Sequence, residues 1–252
     1  MIVNTKFDND CIEFCKDSPF GCRIFGINKS YGDYPKISEF WKVFDDNHNL
    51  IGVIGRIDSQ IILHIRESVN LKEVSEFIQM ISAKAILCDG NISLTLPNFK
   101  TNSGVVMKFE NSYKNVSNTV INNPPARTVY KLLKSCKSDT FFVPEFEDFY
   151  LDYSHKMRHE CVRSTGIYNE NELVAFAMTA AESYDSAVVA AVCVHPEFRN
   201  KGFGSQVVST LVNELTIENK YIYIFRSKNE NEDFYKKLGF CETGMWSEYT
   251  RI

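Results

Sequence analysis

No stretch of the 252-residue sequence approaches the roughly 18 uninterrupted apolar residues that a membrane-spanning helix needs. The N-terminus, MIVNTKFDNDCIEFCKDSPF, lacks a basic head followed by an apolar run, so no secretory signal is indicated and a cytoplasmic location is expected. A concentration of positive charge is missing too. The 28 Lys and Arg residues are outnumbered by 32 Asp and Glu, and they are scattered rather than gathered into a stripe, which argues against nucleic acid as a partner. The eight cysteines include no CxxC pair and come without an export signal, so free, partly buried thiols are expected in place of a disulfide framework. Low-complexity tracts and short repeats are absent as well. What remains is a hydrophobic share of 44%, enough to bury a sizeable core in one large or two ordinary domains.

Metal-ligand patterns are equally scarce. His155 and His159 stand at i and i+4 with Cys161 close by, but Lys156 occupies the place where a zinc-protease pattern needs Glu. Cys11, Cys15 and Cys22 fit an apolar helical core better than a ligand set. No metal is expected.

The strongest punctuation lies in NTVINNPPARTVYKLL. Proline cannot donate to a ladder and restricts the residue before it, so Asn123, Pro124 and Pro125 end the preceding strand. A division into domains 1–112 and 113–252 is expected there. Upstream, FWKVFDDNHNLIGVIGRIDSQIILHI predicts a meander turning at Asp45 to Asn49 and Asp58 to Gln60. NLKEVSEFIQMI then places Leu71, Val74, Phe77, Ile78 and Ile81 at helical spacing behind Asn70 as cap, and KAILCDG predicts a short buried strand.

Downstream, PPARTVYKLLKSC and PEFEDFYLDYSHKMRHE predict two helices, and CVRSTGIYNENELVAFAMTAA predicts a hairpin turning at Asn169 to Asn171. SAVVAAVCVHP is a near-continuous apolar run that suits a strand covered on both faces. SQVVSTLVNELTIEN carries Val207, Val208, Leu211, Val212 and Leu215 on one helical face. YIYIF predicts a strand, NEDFYKKLGF a short helix closed by Gly239, and MWSEYTRI a final strand. The fold class expected is α/β with a mixed sheet.

The chemistry concentrates in VHPEFRNKGFGSQV, where a strand gives way to a helix. Glycines without a Cβ adopt angles closed to other residues and let backbone N–H groups approach a ligand. A helix starting directly behind them adds unpaired N–H groups and a positive dipole end, the arrangement that binds phosphates. A P-loop is excluded, because it needs Gly, four residues, then Gly-Lys-Ser/Thr; a dinucleotide turn needs a third glycine where Val207 stands.

The six residues Arg199-Asn200-Lys201-Gly202-Phe203-Gly204, behind an apolar strand and ahead of an amphipathic helix, resemble the acyl-CoA loop Arg/Gln-x-x-Gly-x-Gly/Ala of the GCN5-related N-acetyltransferase (GNAT) superfamily. NENEDFYKKLGF resembles that family's second signature, an Asn-containing turn leading to a helix that ends Tyr-x-x-Leu-Gly-Phe, one helix and one strand further on. The resemblance covers Pro125 to Ile252. It implies that backbone amides from Asn200 through Ser205 hold the CoA pyrophosphate, with Arg199 leading the loop. It implies that Val192, Cys193 and Val194, on a strand splaying from its neighbour, bind pantetheine and polarise the acyl carbonyl. It further implies that Tyr235 protonates the departing CoA thiolate, and that Asn229 contacts CoA.

Members of this family often carry a glutamate on that strand as general base, but SAVVAAVCV has no carboxylate. Glu182 or Asp185, at the turn into the strand, is left to act through a water. Cys193 is read as packing, and His195 as a loop residue. The order meander, helix, strand over Phe40 to Asp89 also loosely resembles the family fold, though HIRESVNLKEV stands where a glycine turn would be. The N-terminal domain is therefore expected to be a degenerate GNAT-like copy without CoA binding. The implied activity is transfer of acetyl from acetyl-CoA to a primary amine, in a small molecule or a peptide, by direct attack in a ternary complex. No nucleic acid or membrane partner is expected, and a homodimer is left open. A non-catalytic acyl-CoA sensor or interaction protein is the alternative.

Overall fold

The protein is described by a computed structural model over residues 1–111, 119–138, 141–228 and 230–252. In chain order the elements are β1 (Ile2–Thr5), α1 (Asn9–Phe14), α2 (Pro19–Tyr31), β2 (Ser38–Phe44), β3 (Leu50–Ile57), β4 (Gln60–Ile65), α3 (Leu71–Met80), β5 (Ala85–Asp89) and β6 (Phe99–Phe109). They continue with β7 (Val120–Asn122), α4 (Ala126–Ser135), α5 (Phe146–Arg158), β8 (Ser164–Asn169), β9 (Glu172–Glu182), β10 (Ser186–Val194), a 3-10 turn (Pro196–Phe198), α6 (Phe203–Ile217), β11 (Tyr221–Ser227), α7 (Glu232–Lys237) and β12 (Phe240–Arg251). The mixed α/β class expected from the sequence is the one observed. None of the described helices is long and apolar enough to cross a membrane.

The chain folds into two compact units. The first comprises Met1–Met107, Phe225–Lys228 and Glu242–Ile252, and the second Lys108–Ile224 and Asn229–Cys241. A single cut between residues 112 and 113 does not reproduce this division. The reason is strand pairing: Trp246 to Thr250 of β12 run antiparallel to Ala85 to Asp89 of β5, so the C-terminal strand clusters with residues far upstream.

In the first unit the strands run β1-β2-β3-β4-β5-β12, antiparallel except for the parallel pair β4 and β5 that α3 connects. The meander turn at Asp45 closes as its composition predicts, with Asp45 Oδ1 accepting from the Asn47 and Asn49 amides at 2.9 and 2.8 Å. Trp41, Ile54, Ile61, Leu63, Val74, Ile78, Ile86 and Tyr249 form the core. Each fully buried aliphatic side chain there stabilises the unit by about 1.5–3 kcal/mol.

In the second unit the order is β11-β10-β9-β8-β7, with β10 and β11 parallel and joined by α6. Val207, Val208, Leu211 and Leu215 of α6 are fully buried, as the helical spacing of these apolar residues requires. Phe176 of β9 packs in a core cluster with Val129, Leu132 and Leu133 of α4, Tyr153 of α5 and Cys193 of β10.

Candidate active site

The site is made by three local departures from regular structure, all in the second unit. The first is on β10. Ala190 opposes Met178 and Cys193 opposes Phe176, so β10 advances three residues while β9 advances two. The extra residue forms a β-bulge, and Ala191 sits in it at φ +50, a left-handed conformation that costs an L-residue about 1–2 kcal/mol. Pairing of β10 with β11 ends at Val189 opposite Ile224. Beyond it the strand diverges, and Val192, Cys193 and Val194 face a cavity.

The second departure is the glycine turn. His195 N–H anchors its start on the Val174 carbonyl at 2.8 Å, and the 3-10 turn leads to Asn200 at φ +61 and Gly202 at φ +82. Asparagine tolerates the left-handed region and glycine has no penalty there. Gly202 is the N-cap of α6, and because it has no side chain, no cap hydrogen bond covers the first turn of the helix. The helical ladder begins only with Gln206 N–H on the Gly202 carbonyl, at 3.1 Å. The amides ahead of it, on Phe203, Gly204 and Ser205, have no intrahelical acceptor and point with the positive end of the dipole. Gly204 has a different role. A Cβ on it would lie 3.2 Å from Val194 Cγ2 and 3.5 Å from the Phe234 ring, so its absence lets α6 approach β10.

The third departure is the entry to α7, whose N-cap Asn231 lies at φ +54. One turn in, the Tyr235 amide donates to the Asn231 carbonyl at 3.1 Å. The ring is 8% exposed and stands edge-on to Phe240, with centroids 5.9 Å apart.

These pieces share one cavity of about 650 Å³. Of the residues the sequence pointed to, Val192, Cys193, Val194, Arg199, Asn200, Gly202, Phe203, Gly204, Ser205 and Tyr235 line it. Arg199 Nε donates to the Val194 carbonyl at 3.3 Å, which ties the loop to the strand end. Lys201 is outside the lining and places its ammonium 4.7 Å from the centre of the Phe198 ring. Asn229 lies outside the described residues. Sequence reasoning did not find Cys136, Ser138, Phe141, Phe198, Glu230, Asn231 and Phe234, which complete the wall. Asn231 and Phe234 fall inside the second signature, but nothing in the pattern near Cys136 signals a site.

Glu182 is not at the cavity. It lies at the far end of β9, 4% exposed, with Oε2 accepting from Lys220 Nζ and Arg163 Nη2 at 2.8 Å each. Its Oε1 accepts from Arg163 Nε and the Thr179 hydroxyl, both at 2.9 Å. Burial alone would push its carboxyl up, but Arg163 and Lys220 hold it below the ordinary range. A carboxylate saturated by two cations is held as a structural anion and is a poor proton acceptor, which removes the reason for naming it as base. Asp185 accepts from the Ser183 hydroxyl at 2.7 Å in the turn between β9 and β10 and does not line the cavity either. Among the described lining residues Glu230 is the single carboxylate.

The two thiols on the wall differ. Cys136 is brought down to about 6, chiefly by a hydrogen bond from Cys193, against burial and with help from Ser135, Arg199 and His195. Cys193 is raised well above the usual thiol value by the same hydrogen bond and by burial. Among the described residues, no group of three or more His, Cys, Asp or Glu is placed to hold a metal ion.

The first unit contains the corresponding crossover, β4-α3-β5, without the opening. Asn70 caps α3, its side-chain oxygen accepting from the Lys72 and Glu73 amides at 3.1 and 3.3 Å. The donors that α6 leaves free are therefore consumed on α3.

The acetyltransferase (GNAT) domain profile matches residues 163–242. None of the curated proteins matches the chain. Among solved structures, an acetyltransferase from the GNAT family of Colwellia psychrerythraea is 12% identical, with all of both chains covered and a TM-score of 0.58. A tandem GNAT protein from the clavulanic acid biosynthesis pathway is 12% identical, covering 99% of this chain and 97% of that one at TM-score 0.59. A Drosophila protein is 9% identical, covering 100% and 98% at TM-score 0.69. At such identities the likeness is one of fold. With the profile match over the glycine turn and the second signature, residues 163–242 form a GNAT acetyltransferase domain, and the N-terminal part is GNAT-like in fold.

Proposed function

We propose that the second unit is an N-acetyltransferase that binds acetyl-CoA and passes its acetyl group to a primary amine, in a small molecule or a peptide, within a ternary complex. The observation that carries this reading is the convergence of the uncapped α6 N-terminus, the divergent end of β10 and Tyr235 on one cavity. The residues present fit acetyl-CoA. The turn supplies backbone donors for a diphosphate, held without a side-chain competitor. The strand end at Val192 to Val194 offers main-chain groups to the amides of pantetheine. Bound there, acetyl-CoA supplies an activated thioester.

Within this arrangement the chain's own groups divide the work. Asn200 to Ser205 fix the diphosphate, and Arg199 braces the loop on Val194. Tyr235, a phenol protonated at neutral pH, holds the proton that the leaving thiolate needs. An amine arriving uncharged needs little help from a base. Glu230 is the cavity's carboxylate for one that does not. A non-catalytic acyl-CoA-binding role has one observation in its favour, the scarcity of carboxylates on the described wall.

An amine panel with thiol-release detection separates the two. Acetyl-CoA-dependent thiol release with one class of amine supports the enzyme. Binding of acetyl-CoA without release on any amine supports the sensor.

A further inference from the structure

The cavity wall carries two thiols for which transfer to an amine has no use. Cys136, the C-cap of α4, and Cys193, on β10, both line the cavity and belong to the same buried cluster, with Cys136 Sγ 3.3 Å from the carbonyl of Val194, the residue next to Cys193. The two sulfurs are in unequal positions. Cys136 Sγ lies 3.3 Å from the Val194 carbonyl and 3.7 Å from the Ser135 hydroxyl, and the charge of Arg199 favours its thiolate. As a thiol it donates to the Val194 carbonyl; as a thiolate it accepts from Cys193. The carbonyl tempers ionisation, and Cys193 still leaves Cys136 the first of the two to lose its proton. Two thiols of unequal acidity on one cavity wall distinguish an attacking sulfur from a resolving sulfur.

We propose that Cys136 and Cys193 are a reactive dithiol in the acyl-CoA cavity, and that a CoA disulfide thiolates Cys136, after which Cys193 closes the pair to an intramolecular disulfide. The proposal rests on the CoA reading of the cavity. In the first step the Cys136 thiolate attacks one sulfur of the CoA disulfide. A Cys136–CoA mixed disulfide forms, the CoA–CoA sulfur bond breaks, and one CoA leaves as thiolate. In the second, Cys193 gives its proton to water and attacks the Cys136 sulfur, the mixed disulfide breaks, and the second CoA leaves as thiolate. Two electrons pass from the protein thiols to the CoA disulfide, and no other oxidant is needed.

Two other cysteines lie in the second unit: Cys161 is buried, and Cys241 is an internal control. Cys241 is exposed but is not on the cavity, and its thiol is raised by its own slight desolvation and by Glu110.

The test is peptide mapping by mass spectrometry after reduced protein is incubated with CoA disulfide. In Cys193→Ser a CoA adduct is expected on Cys136. The wild type should instead show a Cys136–Cys193 crosslink, and Cys136→Ser neither. Modification of Cys241 should lag that of Cys136 by about tenfold or more. Iodoacetamide labelling of the wild type needs no variant to fold: Cys136 should react ahead of Cys241, with a rate that rises through a midpoint of about 6. Modification of Cys241 with Cys136 untouched, or a Cys136 that labels only after denaturation, overturns the proposal. Glutathione disulfide, run in parallel, separates the dithiol from the CoA reading. Equal rates with the two disulfides, unslowed by excess CoA, overturn CoA as the ligand class. A preference for CoA disulfide in a protein that acetylates no amine supports the dithiol while removing the enzymatic reading.

Discussion

Gly204 and Val194 approach so closely that a Cβ on the glycine would lie 3.2 Å from Val194 Cγ2. At Gly202, two residues earlier, a Cβ would meet only Gln206 Nε2, at an ordinary 3.9 Å, but the backbone lies at φ +82. The two glycines of the turn are thus required for different reasons, one for packing and one for backbone angle. Gly202→Ala is expected to lower stability by about 1–2 kcal/mol through the left-handed penalty. Gly204→Ala should cost less, because Val194 and Phe234 are side chains that can shift by a few tenths of an ångström. Urea unfolding of both variants checks the order.

Acetyl-CoA should bind once per chain. The first unit has the crossover but not the donors, because Asn70 Oδ1 already accepts from Lys72 and Glu73. Calorimetric stoichiometry near one is expected, and Asn70→Gly should leave it unchanged while loosening α3 by a few tenths of a kcal/mol. A stoichiometry near two would contradict the proposed loss of function in the first unit.

Tyr235→Phe keeps the ring and its packing on Phe240 and removes the proton. Thiol release with the preferred amine should fall by about 10²-fold or more in kcat, while the Kd for acetyl-CoA moves by less than about threefold. An unchanged kcat would assign Tyr235 to the core alone.

Glu182→Gln should destabilise the protein by about 3 kcal/mol, since Arg163 and Lys220 lose a buried counter-charge, although Arg163 keeps Glu218 at 2.6 Å. Material that folds should retain its kcat, in contrast to the loss expected of a general base. The same network sets an acid limit. The Glu182 and Glu218 carboxyls are held below their ordinary values in the folded state. Their contribution to stability is complete above the unfolded value, about 4.3, and is lost as pH falls through the lower folded values. The wild type should therefore lose stability on acidification from about pH 5 downward, and Glu182→Gln should lose less. Denaturant midpoints measured as a function of pH test this.

The glycine turn was legible because its chemistry is local, whereas Tyr235, which lines the cavity, was pointed to only by the family resemblance. A left-handed angle, a missing Cβ and a helix start leave marks within six residues, and Asn70 announced α3 by the same logic. Glu182 was not legible, because Arg163 and Lys220 reach it from 19 and 38 residues away. Seen in sequence it is a carboxylate near a promising strand; in the fold it is the centre of an ion-pair network. The C-terminal strand was recognised as a strand, but its pairing with β5 is a long-range choice that no local pattern encodes. Cys136 carries no motif at all. It becomes chemically distinct only when α4 sets it beside Cys193 and Val194.

The most direct measurement is calorimetric titration of acetyl-CoA into the wild type and into Gly204→Glu, which places a side chain and a negative charge in the proposed diphosphate cradle. Thermal unfolding of the variant, run alongside, confirms that it is folded. Micromolar binding to the wild type and none to the folded variant is the predicted result. Absence of binding to the wild type, or equal binding to both, would contradict the assignment of the α6 turn as an acyl-CoA site.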